Sequence, residues 1–255
     1  MQEEQLEQLA LIFNSINLIV MEDALADHVS FDSEGMVTGL DLCGLDLEVI
    51  PDGLASLERL EILDLSHNKI TEIQKLENLA DSLSLLDLSS NRIEIIEGLD
   101  NLRSLKVLEL SNNPISEIQG LSRLVNLEVL NLSGCEIEKI QGLEHLRSLT
   151  TLNLSNNIIT EITGLEAQKK LKHLDLGFTR ITEIKGLIHP LKTLVLTSNM
   201  LSFEEIQQTM NLSEENFIEW VNEVSRKKLA LENQETDDLA KLPGEQDDSS
   251  IDPKL

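Results

Sequence analysis

A single pattern recurs eight times between residues 37 and 201: L-x-x-L-x-L-x-x-N-x-I-x-x-I, followed by a segment with two more leucines. Units begin at Val37, Leu60, Leu83, Leu105, Leu127, Leu149, Leu171 and Leu191, in steps of 23, 23, 22, 22, 22, 22 and 20 residues. One unit of this size cannot bury its own leucines, so the units must stack, each covering the open side of its neighbour. The L-x-L alternation puts Leu63 and Leu65 on one face of a short strand and turns Asp64 to the other. Stacked strands then form a parallel sheet along a curved solenoid, with the Ile-x-x-Ile and Gly-Leu-x-x-Leu positions packing behind it. Gly98, Gly120, Gly142, Gly164 and Gly186 recur at one place in the return segment, where a tight backbone turn is expected.

The Asn position of the pattern reads Leu45, Asn68, Asn91, Asn113, Cys135, Asn157, Thr179, Asn199. Its side chain is expected to turn inward at the strand end and bond backbone groups left unpaired by the bend. Cys135 then stands as a small buried substitute, not a reactive thiol. Cys43 occupies a repeat position that faces the open side of the sheet, so it is the more accessible cysteine.

These residues resemble leucine-rich repeats. The 22-residue units, with "IQGLSRL" (118–124) and "IQGLEHL" (140–146), resemble the class found in the leucine-rich regulatory subunit of protein phosphatase-1. The first unit, with Ile50-Pro51 followed by Leu54 and Leu57, resembles another leucine-rich class. The resemblance implies an α/β leucine-rich repeat solenoid of about eight repeats with its parallel sheet on the concave face. It also implies a partner held on that face. The phosphatase subunit uses aromatic and acidic residues there. This chain keeps an acidic column but has no Tyr and one Trp. The fold and the location of the site therefore carry over, and the partner does not.

The rest of the chain divides around the repeats (37–201). Residues 1–36 are expected to close the N-terminal end with a helix over 3–13, where Leu6, Leu9, Ala10 and Phe13 follow helical spacing, and a hairpin turning at Ser33 to Gly35. Residues 202–231 are expected to close the other end with helices. The first starts at a capping box on Ser202, and the second carries Phe217, Trp220, Val221 and Val224 on one stripe. The segment 232–255, rich in acidic, Ser and Pro residues, is expected to be a disordered tail.

Charge narrows the function. With 46 acidic against 20 basic residues, the formal charge is −26, which opposes binding to nucleic-acid phosphates and anionic membranes. Two cysteines, far apart in the repeat order, point to a reducing compartment. The N-terminus lacks the basic start of a signal peptide. A cytoplasmic monomer is expected, with the nucleus left open. No phosphate loop, zinc spacing or nucleophile motif occurs in the sequence. His67 and His173 lie five repeats apart, about 24 Å at the spacing of sheet strands, too far to share a metal or a proton. No catalytic residue, metal ligand set or cofactor is expected.

The outward side of the sheet is the candidate site. One column runs Asp41, Asp64, Asp87, Glu109, Asn131, Asn153, Asp175, Val195, and a flanking apolar column runs Ile62, Leu85, Val107, Val129. His173 and Phe178 fall on the same face. Acids beside apolar residues form a protein-binding stripe suited to a partner with a basic or mixed surface, and the crowded carboxylates are expected to raise some pKa values or attract cations. The leading expectation is a non-catalytic scaffold or adaptor. The alternative is a regulatory subunit of a protein phosphatase; a third reading, resting only on the acidic row, is a metal-dependent enzyme, with weak divalent-cation binding at the Asp64–Asp87 pair.

Overall fold

Strands β1 (Val29–Phe31) and β2 (Val37–Asp41) form an antiparallel hairpin that turns over Ser33 to Gly35 and delivers the chain into the first repeat. Each later unit then contributes one three-residue strand: β3 (Ile62–Asp64), β4 (Leu85–Asp87), β5 (Val107–Glu109), β6 (Val129–Asn131), β7 (Thr151–Asn153), β8 (His173–Asp175) and β9 (Thr193–Val195). From β2 onward all pair in parallel in chain order, giving, among the described residues, a nine-stranded sheet without crossovers. The computed structural model describes residue 7 and residues 9–13, 28–182 and 191–201, all within one compact unit, Met1–Thr209.

The register places the same repeat position side by side in every strand. Leu40, Leu63, Leu86, Leu108, Leu130, Leu152 and Leu174 form one continuous inward row, each at most 2% exposed. Behind them, Ile137, Ile140, Leu143 and Leu146 of one unit are buried against their counterparts in the next. Burial of a leucine or isoleucine contributes about 1.5–3 kcal/mol. Stacking therefore supplies what no single unit could. The return segments are mostly turns, with 3₁₀ pieces at Leu54–Ser56 and Glu77–Leu79.

Three repeat positions end each parallel strand, after three residues in β3 to β9. The last strand residue is usually Asp or Asn, and its Oδ1 accepts the backbone N–H two residues on. Cys43, Ser66, Ser89, Ser133, Ser155 and Gly177 donate to Asp41, Asp64, Asp87, Asn131, Asn153 and Asp175 at 2.8–3.0 Å. These are Asx turns, which end an extended run by offering the backbone a local acceptor. The third residue on then takes a left-handed conformation in all eight units: Gly44, His67, Ser90, Asn112, Gly134, Asn156, Phe178 and Ser198 have φ of 54–70°. The fourth is the inward Asn.

That Asn ties neighbouring units together. Asn113 donates through Nδ2 to the carbonyls of Leu88 and Leu110 and accepts the N–H of Ile93 at 3.0 Å, and Asn157 does the same with Leu132, Leu154 and Ile137. Cys135 is buried at the corresponding place, its Sγ 3.6 Å from the Leu110 carbonyl. A thiol offers no amide oxygen, and the Ile115 N–H turns to the Asn113 carbonyl at 2.8 Å instead. Burial pushes the Cys135 thiol above its usual pKa range, which suppresses thiolate chemistry.

Gly120 has φ 69°, and a Cβ there would collide with the carbonyl oxygen of Ile96 in the preceding unit. Glycine thus serves both a turn and a close backbone approach; Gly186 lies outside the described residues. At the N-terminal end residues 9–13 are helical, and Leu9, Ile12 and Phe13 are buried. Ile12, packed over Gly53, takes the place expected for Ala10, which is exposed. Arg59 reaches from the first repeat to Asp32 and Glu34 of the hairpin turn at 2.8 and 2.7 Å. The helices expected over 202–231 and the tail over 232–255 lie outside the described residues.

Candidate functional site

Alternation along three-residue strands leaves two residues per strand on the concave face. The first forms a column through Gly39, Ile62, Leu85, Val107, Val129, Thr151, His173 and Thr193, paired residue by residue. The second is the column from Asp41 to Val195. The structure thus places Asp41, Asp64, Asp87, Glu109, Asn131, Asn153 and Asp175 in one line, and Ile62, Leu85, Val107 and Val129 in a line beside it. Ile62 is 48% exposed, and Leu85, Val107 and Val129 are half-buried. Along the strand, residues two apart stand about 6.7 Å from each other.

The two columns change character at nearly the same place. Negative charge is continuous from β2 to β5 and ends at Glu109, while apolar residues run from β3 to β6 and end at Val129. Beyond them the face is mainly neutral and polar. There His173 meets Thr193 across the ladder, Nδ1 to Oγ1 at 2.7 Å. Asp175 is the one acid to return to the line.

The Asp residues have a structural task that the repeat pattern alone did not reveal. Each gives one carboxylate oxygen to its Asx turn, which explains why Asp and Asn interchange at this position. Glu109 breaks the pattern: its longer side chain makes no such turn. Burial, together with the charge of Asp87, pushes its carboxyl above the ordinary glutamate range, while a hydrogen bond with the Asn131 side chain works in the opposite direction. The expected pKa elevation in a carboxylate row thus falls at the one acid without a backbone N–H partner of this kind.

A metal-capable group also emerges. Among the described residues, donor atoms of Asp41, Cys43 and Asp64, all half-buried, lie within 4.8 Å of one another. The expected Asp64–Asp87 pairing is not the place where three donors converge. Three donors fall one short of a closed tetrahedral site, and one oxygen of each aspartate is already engaged by a backbone N–H.

Phe178 sits in the left-handed turn after β8 and is 50% exposed. A bulky residue in this conformation is strained; the seven equivalent residues are Gly, His, Ser or Asn. One further polar residue escaped the sequence pattern. Gln168 replaces a leucine of the return segment and is fully buried; its Nε2 donates to the Leu143 carbonyl at 2.5 Å while Oε1 has no partner.

The sheet, the ladder of inward asparagines and the concave columns define a repeat solenoid, and family models agree. A leucine-rich repeat model matches residues 37–93, and a two-copy leucine-rich repeat model matches 81–123 and 125–167. Together they cover more than half of the chain, which belongs to the leucine-rich repeat proteins. No curated protein matches it. Among solved structures it is similar to TLR13 in complex with ssRNA13 (27% identity, TM-score 0.59, covering 65% of this chain and 26% of that one). It is also similar to a leucine-rich repeat protein of Leptospira interrogans (26%, 0.56, covering 67% and 51%) and, in fold, to internalin C2 of Listeria monocytogenes (23%, 0.51, covering 75% and 92%). The chain spans about a quarter of the TLR13 chain and about half of the Leptospira protein. Leucine-rich repeat proteins generally mediate protein–protein interactions and are typically non-catalytic.

Proposed function

We propose that this chain is a non-catalytic scaffold that holds a partner protein of basic or mixed surface on the concave face. The observation that carries it is the coincidence of a charged and an apolar column over the same strands, since partly exposed apolar residues flanked by acids form a recognition surface rather than a solvated one. Eight parallel strands offer a length of roughly 35–40 Å at about 4.8 Å per strand, enough for a standard interface. A solenoid ordered before contact loses little entropy on binding. The formal charge of −26 argues against RNA as its ligand, although TLR13 was solved with one. The two free thiols, Cys43 and Cys135, fit a reducing, cytoplasmic or nuclear setting, and a monomer would leave the face open.

The test is affinity capture from the native cell across a salt series. A partner retained at low salt and released as salt rises supports the proposal, because exposed charges are screened. Partners captured equally at all salt concentrations would argue against an electrostatic face. A phosphatase-regulating role is a second reading, favoured by the 22-residue period with its Gly-Leu-x-x-Leu segments. Retention of a phosphatase-1 catalytic subunit in a pull-down supports it, and no retention sinks it.

A further inference from the structure

We propose that the occupant of the concave face is a basic amphipathic α-helix, lying along the solenoid axis over β3 to β6. The inference rests on the scaffold reading above and specifies the partner's shape and chemistry.

The spacing of the apolar column selects the element. Ile62, Leu85, Val107 and Val129 sit on adjacent hydrogen-bonded strands, so three inter-strand steps of about 4.8 Å span about 14 Å. An α-helix along the axis repeats its face every 5.4 Å or so, covering about 16 Å in three turns. An extended segment repeats its face about every 6.7 Å and would reach about 20 Å over three repeats. The helix stays near register across the column; the extended segment slips by more than one strand.

The two columns together specify the helix's sides. They stand about 6.7 Å apart along the strand, which is across the helix, and a helix about 10–12 Å wide with its side chains covers both. Apolar side chains at i, i+3 or i+4, i+7, and i+10 or i+11 meet Ile62, Leu85, Val107 and Val129. Lys or Arg on the adjoining side meet Asp64, Asp87 and Glu109. Each aspartate has one oxygen engaged in its Asx turn, and the second is left to accept from a cation. Glu109 has no Asx-turn bond and lies beside Asp87, where a partner's cation offsets both its burial and that repulsion.

The molecule itself supplies variants that should fold. Asn131 and Asn153 make the same Asx turn as the aspartates, so Asp64→Asn and Asp87→Asn remove charge and keep the turn. Thr151 and Thr193 occupy the apolar column in later strands, so Leu85→Thr and Val107→Thr remove the apolar stripe and keep a residue the strand accepts.

The probes are two synthetic 14-residue peptides of identical Leu/Lys/Ala composition, titrated onto the full chain by fluorescence anisotropy. In one, Leu recurs at helical spacing; in the other, Leu and Lys alternate. The helical pattern is expected to bind at least about tenfold more tightly, a difference of about 1.4 kcal/mol. Its affinity is expected to fall by about tenfold or more in Asp64→Asn/Asp87→Asn/Glu109→Gln and again in Leu85→Thr/Val107→Thr. It should change by no more than about twofold in Glu94→Gln/Glu117→Gln/Glu161→Gln, which removes as much charge from the return segments. Equal or tighter binding of the alternating peptide through the same columns overturns the helix and leaves the scaffold standing. No binding of the helical peptide, or equal loss in the return-segment variant, also overturns the helix; the scaffold then stands or falls on salt-dependent capture alone.

Discussion

Strands β3–β6 and β7–β9 share one backbone and carry different surfaces. In both halves the inward leucines are buried, apart from the half-buried Leu194 of β9; the strand stops after three residues and a left-handed residue follows. Outward, the first half presents Ile62, Leu85, Val107 and Val129 beside Asp64, Asp87 and Glu109. The second presents Thr151, His173 and Thr193 beside Asn153, Asp175 and Val195. The fold accepts either set, so the outward residues of β3–β6 are not there for stacking. Except at Val195, both halves retain an oxygen acceptor at the strand end; the charge of Asp64 and Asp87 is an addition, since Asn131 and Asn153 make the same turn.

The largest effect expected is one that ignores this division. Leu130→Ala in β6 and Leu152→Ala in β7 each remove a fully buried side chain from the same inward row, and each should cost about 2–5 kcal/mol in urea unfolding. Val129→Thr, next to Leu130 but outward, should stay within about 0.5 kcal/mol. A large cost at Val129 would mean that the apolar column supports the fold.

Next comes the aspartate column. Asp87→Ala removes the acceptor for the Ser89 N–H and Oγ–H and should cost about 1–2 kcal/mol, whereas Asp87→Asn should be nearly neutral. Similar losses in both would show that charge, not the Asx turn, is what the fold needs. Cys135→Asn restores the amide missing from the inward ladder and should raise stability by about 1 kcal/mol. No gain would mean that the Ile115 N–H already has all it needs from Asn113.

The smallest effect is the pH dependence at Glu109. Its carboxyl titrates above the ordinary glutamate range in the folded protein, so the native state binds this proton more readily than the unfolded chain does. Stability from this group is therefore fully present below the ordinary glutamate pKa and is lost as pH rises through the elevated one. Glu109→Gln should be more stable than the parent at neutral pH, with the advantage fading in acid. An advantage that grows in acid would reverse the assignment.

Much of this was legible in the residues, because a strict period fixes register once and then repeats it. The inward leucines, the place of Cys135 and the two outward columns all follow from that register. The double use of the aspartates was not. Charge suggested a surface role, but the alternation of Asp with Asn at one position, followed two residues later by Ser, Cys or Gly, already carried the signature of an Asx turn. The left-handed position could likewise be read from its run of Gly, Ser and Asn, with Phe178 as the exception that hid it. Ala10 and Ile12 were exchanged because a helix of few turns leaves its phase poorly defined. Gln168 passed as a return-segment residue because its neighbours keep the polar composition expected there, although it interrupts a leucine column. The convergence of Asp41, Cys43 and Asp64 needed the parallel register between two units, which separates residues 23 apart in sequence by one strand.

The central claim is that the charge on β3–β5 serves recognition and not folding. It is tested most directly by titrating the partner obtained by salt-sensitive capture against the native chain and the Asp64→Asn/Asp87→Asn/Glu109→Gln variant, once the variant's urea midpoint is known to match or exceed that of the native chain. An affinity at least about tenfold weaker in the variant is the predicted result. An unchanged affinity would contradict the account, leaving the acidic column with no role beyond its turns.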